Sequence, residues 1–228
     1  MKFIDLNADV GEATDYDLQE QLLQLITSAN IACGGHAGDA DSIRLTVEQC
    51  LRHHVAIGAH PSYPDRENFG RAALAISKVE LTASIAVQLN ALGPVTHVKA
   101  HGALYNEAAK NPEIAQAIAD AIAHHPVSTR PVLYGLKGSL MLDVFQKAGF
   151  RTAREVFADR AYQPDGSLRP RHLPGALITD PDEAAANAVK LAEDADTICI
   201  HSDTLGAVQI AHAVRRALEH NGYRLRPV

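Results

Sequence analysis

Lys99 and His101 stand two residues apart in the stretch Val98-Lys99-Ala100-His101-Gly102-Ala103-Leu104-Tyr105-Asn106. Alternate residues of a strand share a face. A strand ending here therefore aims an ammonium and an imidazole at the same place, and Gly102 lets the backbone turn just beyond them. The arrangement recurs along the chain. Asn7 with Asp9, His36, His60, Glu155 with Asp159 and Arg160, and His201 with Asp203 all stand at or just past the end of a segment that reads as a strand. The chemistry available to such groups is hydrolytic. Asp and His can act as general base and acid, and Lys can hold an oxyanion or lower a neighbour's pKa. Asp9, His36, His60, His101 and His201 are also of ligand types that divalent metals take, but their separation in sequence provides no spacing that specifies a metal site. No Gly-x-Ser-x-Gly elbow occurs, so a serine acyl-enzyme is not expected.

These side chains need a frame. In the first predicted strand, Phe3 to Val10, Ile4, Leu6, Ala8 and Val10 form one face, and Phe3, Asp5, Asn7 and Asp9 form the other. If the sheet is covered on both sides, that polar face must look into a site or a hydrogen-bonded network. Further strands are predicted at Ala29–Gly35, Ala56–His60, the Lys99 stretch, Arg130–Leu136, Arg151–Phe157 and Thr197–His201. Helical spacing follows each of them. Asp39, Ser77-x-x-Glu80, Asn111-Pro112 and Asp180-Pro181 supply helix starts. Seven strands in strict alternation with helices imply a parallel α/β sheet with right-handed crossovers. The sheet is either a closed barrel or an open doubly wound layer. No GxGxxG follows the first strand and no GxxxxGK[ST] occurs, so the usual phosphate loops of open sheets are missing. In a barrel all the strand ends meet at one mouth, which would gather these groups around one cavity.

Single residues also have structural readings. His97 shares the face of Lys99 and His101 one layer deeper, and reads as core or as support for the site. Glu155 and Arg160 could pair with each other, and Cys33 and Cys199 read as packing residues. Of the twelve histidines, His53, His54, His124, His125, His212 and His220 fall in or at the ends of predicted helices. Loops at 61–75 and 161–177 are long enough to suggest a use.

With 228 residues, 46% of them hydrophobic, the chain is expected to form one domain over residues 1–228. A net charge of −6 without basic runs argues against nucleic acid as a partner. Three widely spaced cysteines without a CxxC suggest reduced thiols and a cytoplasmic location. Asp5 and Asp9 in the first strand argue against a signal peptide, and no apolar run approaches the roughly 18 residues of a membrane span.

Six blocks carry a family resemblance: Asp5-Leu6-Asn7-Ala8-Asp9-Val10-Gly11-Glu12, Ala29 to Asp39, Ile57 to Asp65, Val98 to Asn106, Glu155 to Tyr162, and Ile198 to Thr204. In order and over nearly the whole chain, they resemble the LamB/YcsF family. The resemblance implies a seven-stranded parallel (β/α) barrel similar to that of polysaccharide deacetylases. It also implies ATP-dependent hydrolytic opening of 5-oxo-L-proline to L-glutamate, with ATP as co-substrate and 5-oxoprolinase subunits B and C as partners. On that reading Asp9, His36, His60, Lys99, His101 and His201 are the catalytic candidates, with Asp9 or a histidine near it as base and Lys99 as oxyanion or phosphate contact. Asn7, Tyr105, Glu155, Arg160 and Asp203 are the substrate-binding candidates, Arg160 for the substrate carboxylate. Four positions depart from the family pattern: Gly35 for Phe, Ala72 for Arg, Ala100 for Pro and Ser202 for Gly. The first is expected to enlarge the pocket beside His36. Two other readings stay open: a metal-dependent amide or N-acyl hydrolase, and a non-catalytic subunit that organises its partners.

Overall fold

From Ile4 to Val10 both faces of β1 (Lys2–Val10) are buried, which requires a sheet covered on both sides. The computed structural model describes residues 1–12, 15–124 and 130–228; His125, assigned above to a helix end, lies outside them. Within these residues the order is β1, α1 (Tyr16–Leu23), β2 (Ser28–Ala32), α2 (Ala40–Arg52), β3 (Ala56–His60), α3 (Lys78–Leu92), β4 (His97–Val98), α4 (Gly102–Ala108), α5 (Pro112–Ala123), β5 (Val132–Leu136), α6 (Leu140–Lys147), β6 (Thr152–Phe157), α7 (Pro181–Leu191), β7 (Thr197–His201), α8 (Ala207–His220) and β8 (Tyr223–Leu225). The named strands pair in parallel, β2 through β7 lie side by side in chain order, and β1 pairs with both β7 and β2. Seven strands therefore close into a barrel.

β8 and α4 are additions to the predicted elements. β8 pairs with Lys2–Ile4 of β1, below the level at which β7 begins. β4 is shorter than the sequence suggests, yet its direction persists: the Lys99 N–H donates to the Ala59 carbonyl at 3.0 Å and the His101 N–H to Pro61 at 2.8 Å. Lys99 and His101 therefore still point into the barrel, and α4 starts immediately after them. Among the described residues no helix is long and apolar enough to cross a membrane.

The outer face of β1 (Ile4, Leu6, Ala8, Val10) packs with Leu22 and Leu23 of α1, Ala184 and Ala188 of α7, and Ile210, Val214 and Leu218 of α8. The inner face is polar and is stacked in layers along the barrel axis. Asp5 accepts from Thr27 and Ser28 on one carboxylate oxygen, and from Thr197 and Tyr134 on the other, at 2.6–2.9 Å. Above it, the Asn7 amide donates to Thr197 and Glu155 and accepts from Asn30. Asn30 also donates to Asp9 at 2.9 Å and accepts from His97 at 3.0 Å. Every buried polar group here needs a partner, so each layer fixes the next and the topmost presents Asp9. Gly58 is part of this arrangement: a Cβ there would lie 2.1 Å from the His97 ring.

Candidate active site

Lys99 is buried at the top of the barrel, where three acceptors surround its ammonium. It donates to Asp9 Oδ1 at 2.8 Å and Cys199 Sγ at 2.9 Å, and lies 3.1 Å from Glu155 Oε1. The ammonium, expected as an oxyanion or phosphate contact, is held at the cavity wall by these three groups. Cys199, read as packing, is instead a partner of Lys99. Burial would raise the Asp9 carboxyl, but His60 and Lys99 beside it hold it well below the usual carboxylate range. Burial would likewise lower the Lys99 ammonium, and Asp9 holds it above its ordinary value. The pair is ionised on both sides.

Asp9 Oδ2 faces His60 Nε2 at 3.3 Å and His201 Nε2 at 3.9 Å. Asp159 fixes His201: its carboxylate accepts from Nδ1 at 2.9 Å and from the His201 backbone N–H at 3.1 Å, and Thr204 donates to it at 2.6 Å. With Nδ1–H so held, the lone pair of Nε2 points towards Asp9 and the cavity. Burial opposes charge on Asp159, and the His201 contact outweighs it, so this carboxyl titrates below its usual range.

On the other flank His60 Nδ1 donates to the Lys99 carbonyl at 2.8 Å, and His101 Nε2 donates to the Phe69 carbonyl at 3.0 Å. The inner nitrogens of the two rings meet at 3.0 Å. His36 stacks on His101 with ring centroids 3.7 Å apart, and its Nε2 lies 3.0 Å from Glu12 Oε1. The loop at 61–75 supplies Phe69, whose φ of +55° marks local backbone strain. Its ring sits edge-on to His36 and its carbonyl holds His101, so the loop covers the histidines.

A cavity of about 780 Å³ opens over this surface, walled by Asp9, His60, Lys99, His101, Tyr105, Phe157, Arg160 and His201, with Arg71, Lys137 and Arg171 further out. Four proposed residues lie off its wall. Asn7 and Glu155 sit in the layers beneath, where hydrogen bonds to the barrel occupy the Asn7 amide. His36 is behind His101. Asp203 is at the rim, bonded to Arg71 and, at 2.9 Å, to Arg171. Direct substrate contact is therefore not the use of Asn7, Glu155 or Asp203. Arg160 does not pair with Glu155 either; it donates to the Arg169 carbonyl at 2.7 Å and the Ala176 carbonyl at 3.4 Å. Burial, with Arg171 nearby, brings its guanidinium down to about 10. Tyr105 is buried with its hydroxyl unpartnered among the described residues.

Glu12, Asn30, Phe69 and, as a support, Asp159 join the site without having been expected among its catalytic or binding residues. Glu12 closes the first of the six blocks, just past Gly11, and its place after a strand end was the available signal. Gly35, expected to enlarge the pocket beside His36, instead has its side-chain space filled. A Cβ at Gly35 would lie 2.3 Å from Gln88 Oε1 and 2.4 Å from Ser62 Oγ. Gln88 accepts from the Ser62 N–H at 2.9 Å and donates to the Ser62 carbonyl at 2.8 Å. Gln88→Ala strands both buried groups and is expected to cost about 1–3 kcal/mol, read as a lower urea midpoint at unchanged slope.

Acid should destabilise the fold early. Burial pushes His97 down to about 3 and His101 down to about 4, whereas an imidazole in the unfolded chain titrates near ~6.5. The unfolded state then binds protons that the folded state refuses. Stability is full above pH ~6.5 and falls as pH drops towards the folded values. Asp9 and Asp159, titrating below their ordinary range, add losses of the same sign at lower pH. Urea midpoints measured between about pH 7.5 and 4, at about half-unit steps, should decline steadily from the upper value; a flat profile contradicts the assignment.

Residues 4–228 match the model of the LamB/YcsF family. The chain belongs to the LamB/YcsF family. A relative from Geobacillus kaustophilus, named as the A component of 5-oxoprolinase, is 46% identical over 246 residues, covering 97% of this chain and 95% of the relative. One of the same name from Bordetella parapertussis is 46% identical over 244 residues, with 96% of each chain covered. The crystal structure of the lactam utilization protein from Thermus thermophilus superposes with a TM-score of 0.89 at 38% identity, covering all of both chains. Peptidoglycan deacetylase PdaC from Bacillus subtilis gives 0.51 at 14% identity, covering 100% of this chain and 88% of that one. This likeness bears out the deacetylase-type barrel as a fold. The polar layers of the barrel thus run along its axis up to the cavity, which lies at the C-terminal ends of the strands.

Proposed function

We propose that this chain is the A component of a 5-oxoprolinase, acting with subunits B and C in the ATP-dependent opening of 5-oxo-L-proline to L-glutamate. The observation that carries the reading is Arg160. It is a buried cation on the cavity wall, and among the described residues no carboxylate lies within ion-pair distance of it. Asp9 and His201 share that wall. A small anionic amide suits this set: its carboxylate meets Arg160 and its carbonyl lies near the Asp9–His201 pair.

A five-membered lactam is an unstrained, resonance-stabilised amide, and water attacks it slowly. Transfer of a phosphoryl group to the carbonyl oxygen makes it a far better electrophile. The sequence holds no phosphate loop, so that transfer is assigned to the assembly with B and C. This chain then activates water. His201 Nε2 takes the proton as water adds to the activated carbon, and passes it to the ring nitrogen of the lactam as the C–N bond breaks; a second water then releases phosphate from the acyl phosphate to give L-glutamate. Asp159 keeps the imidazole in the Nδ1–H tautomer, and the Asp9 carboxylate 3.9 Å away stabilises the imidazolium. Lys99 acts through Asp9, keeping it ionised and fixed.

The deciding experiment mixes purified chain, 5-oxoproline and ATP with and without B and C and measures glutamate. Release is expected only with all three. Full-rate release by B and C alone removes the proposed role, and unchanged turnover with Asp9→Asn in the assembly favours a purely organising component. Arg160→Ala should raise KM for 5-oxoproline about 10- to 100-fold, the worth of a charged hydrogen bond of about 1.5–3 kcal/mol, with a smaller change in kcat.

A further inference from the structure

Three imidazoles and one carboxylate converge beneath the cavity wall with more lone pairs than protons. Each of Glu12, His36, His60 and His101 offers one ligand atom, and these atoms lie within 4.8 Å of one another. Two of the rings are committed on their outer edges. His60 Nδ1–H is spent on the Lys99 carbonyl and His101 Nε2–H on the Phe69 carbonyl. A carbonyl can only accept, so each ring, when neutral, turns a bare nitrogen inward. Those nitrogens face each other at 3.0 Å. Glu12 Oε1, also an acceptor, lies 3.3 Å from His101 Nδ1 and 3.8 Å from His60 Nε2. His36 Nε2 closes the group at 3.0 Å from the same oxygen. Acceptors pressed together in a buried place repel unless a cation joins them.

We propose that Glu12, His36, His60 and His101 form a binding site for one divalent transition-metal ion, Zn2+ or one of similar softness. The spacing fits. Bonds of about 2.0–2.1 Å in a tetrahedron put neighbouring donors about 3.3–3.4 Å apart, and the four contacts above span 3.0–3.8 Å. Imidazole nitrogens with one carboxylate select zinc, cobalt or iron over magnesium, calcium and manganese, which prefer oxygen ligands. The backbone carbonyls behind His60 and His101 are the usual outer partners of ligating histidines, orienting the ring and fixing its tautomer. The strained Phe69 supplies one of them, which gives the loop at 61–75 a purpose. Asp9, Cys199 and His201 also lie close together, but Asp9 and Cys199 are engaged by Lys99 and His201 by Asp159, so a cation already serves that group.

The site does not depend on which reaction the cavity performs, and binding is measured directly. Untagged full-length chain is treated with chelator, dialysed, and titrated with Zn2+, Co2+ or Mg2+ alone, with metal content read by mass spectrometry and affinity by calorimetry. One equivalent of Zn2+ or Co2+ per chain is expected, with no Mg2+ binding at the same concentration. Glu12→Gln and His36→Gln, folded by circular dichroism, should each weaken Zn2+ binding about 10-fold or more; His53→Gln, at the end of α2, should not change it. Co2+-loaded wild-type chain should show the intense visible bands of a four- or five-coordinate nitrogen and oxygen site, without a sulfur-to-cobalt charge-transfer band. The spectrum serves even where a variant fails to fold. Substoichiometric binding that is insensitive to Glu12→Gln, or a sulfur band lost with Cys199→Ser, overturns the assignment. So does a wild-type chain that binds no Zn2+ or Co2+, in which case a proton shared between His60 and His101 joins the group.

Discussion

His201→Gln lowers glutamate formation by the assembled enzyme about 10³-fold, within the range for loss of a general base, and leaves KM for 5-oxoproline within a few-fold. The expectation rests on the chain of contacts behind the imidazole. Asp159 is fully buried and accepts from Nδ1, the His201 N–H and Thr204, so the ring has one orientation and one tautomer. Nε2 is then the basic position turned towards the cavity. Asp9, 3.9 Å from it, titrates too low to compete as base near neutrality, but it steadies the charge that forms. Glutamine keeps the bulk and loses the proton acceptor. Asp159→Asn should lose much of the same rate, because an amide nitrogen facing Nδ1 favours the wrong tautomer. Its pH–rate profile should shift, which a merely structural role would not produce. Wild-type turnover in the His201 variant, at wild-type stability, would falsify the mechanism.

Lys99→Met has the second largest effect, and it falls on stability. The ammonium is buried against Asp9 and Glu155. Methionine matches its length and leaves two carboxyl groups in the barrel without their cation. Breaking one side of a buried ion pair costs about 3–5 kcal/mol, and urea unfolding near neutral pH should register that loss. Asp9→Asn combined with Lys99→Met should be less destabilised than the two single variants added together, since the double change removes one of the two uncompensated charges. Strict additivity, or a Lys99→Met midpoint equal to wild type, would show that the lysine carries no such duty.

Much of this architecture follows from local pattern. The alternation in β1 places Asp5, Asn7 and Asp9 on one face, and that face is the barrel interior. Asp39, Ser77, Asn111 and Asp180 cap α2, α3, α5 and α7, as their positions before helical runs require. The register of strand ends gathers Asp9, His60, Lys99, His101 and His201, because parallel strands of similar length finish together. α4 and β8 were not legible. α4 has seven residues and β8 three, too few for a periodic signal, and each depends on a partner elsewhere: Gly70 accepts from the first turn of α4, and Lys2–Ile4 pairs with β8.

Sequence by itself determined which residue types arrive at the barrel mouth and the strand-helix order that brings them there. Tertiary structure decided what each one does. Asn7 meets Glu155 across 148 residues and Lys99 meets Cys199 across 100; these contacts tie them into the barrel, while His201 faces the cavity. Glu12 joins three histidines from β3, the end of β4 and the loop after β2 only once the barrel closes. The physical reason is that a polar side chain's role depends on which of its donors and acceptors remain unpaired, and in a closed barrel the partners come from distant strands.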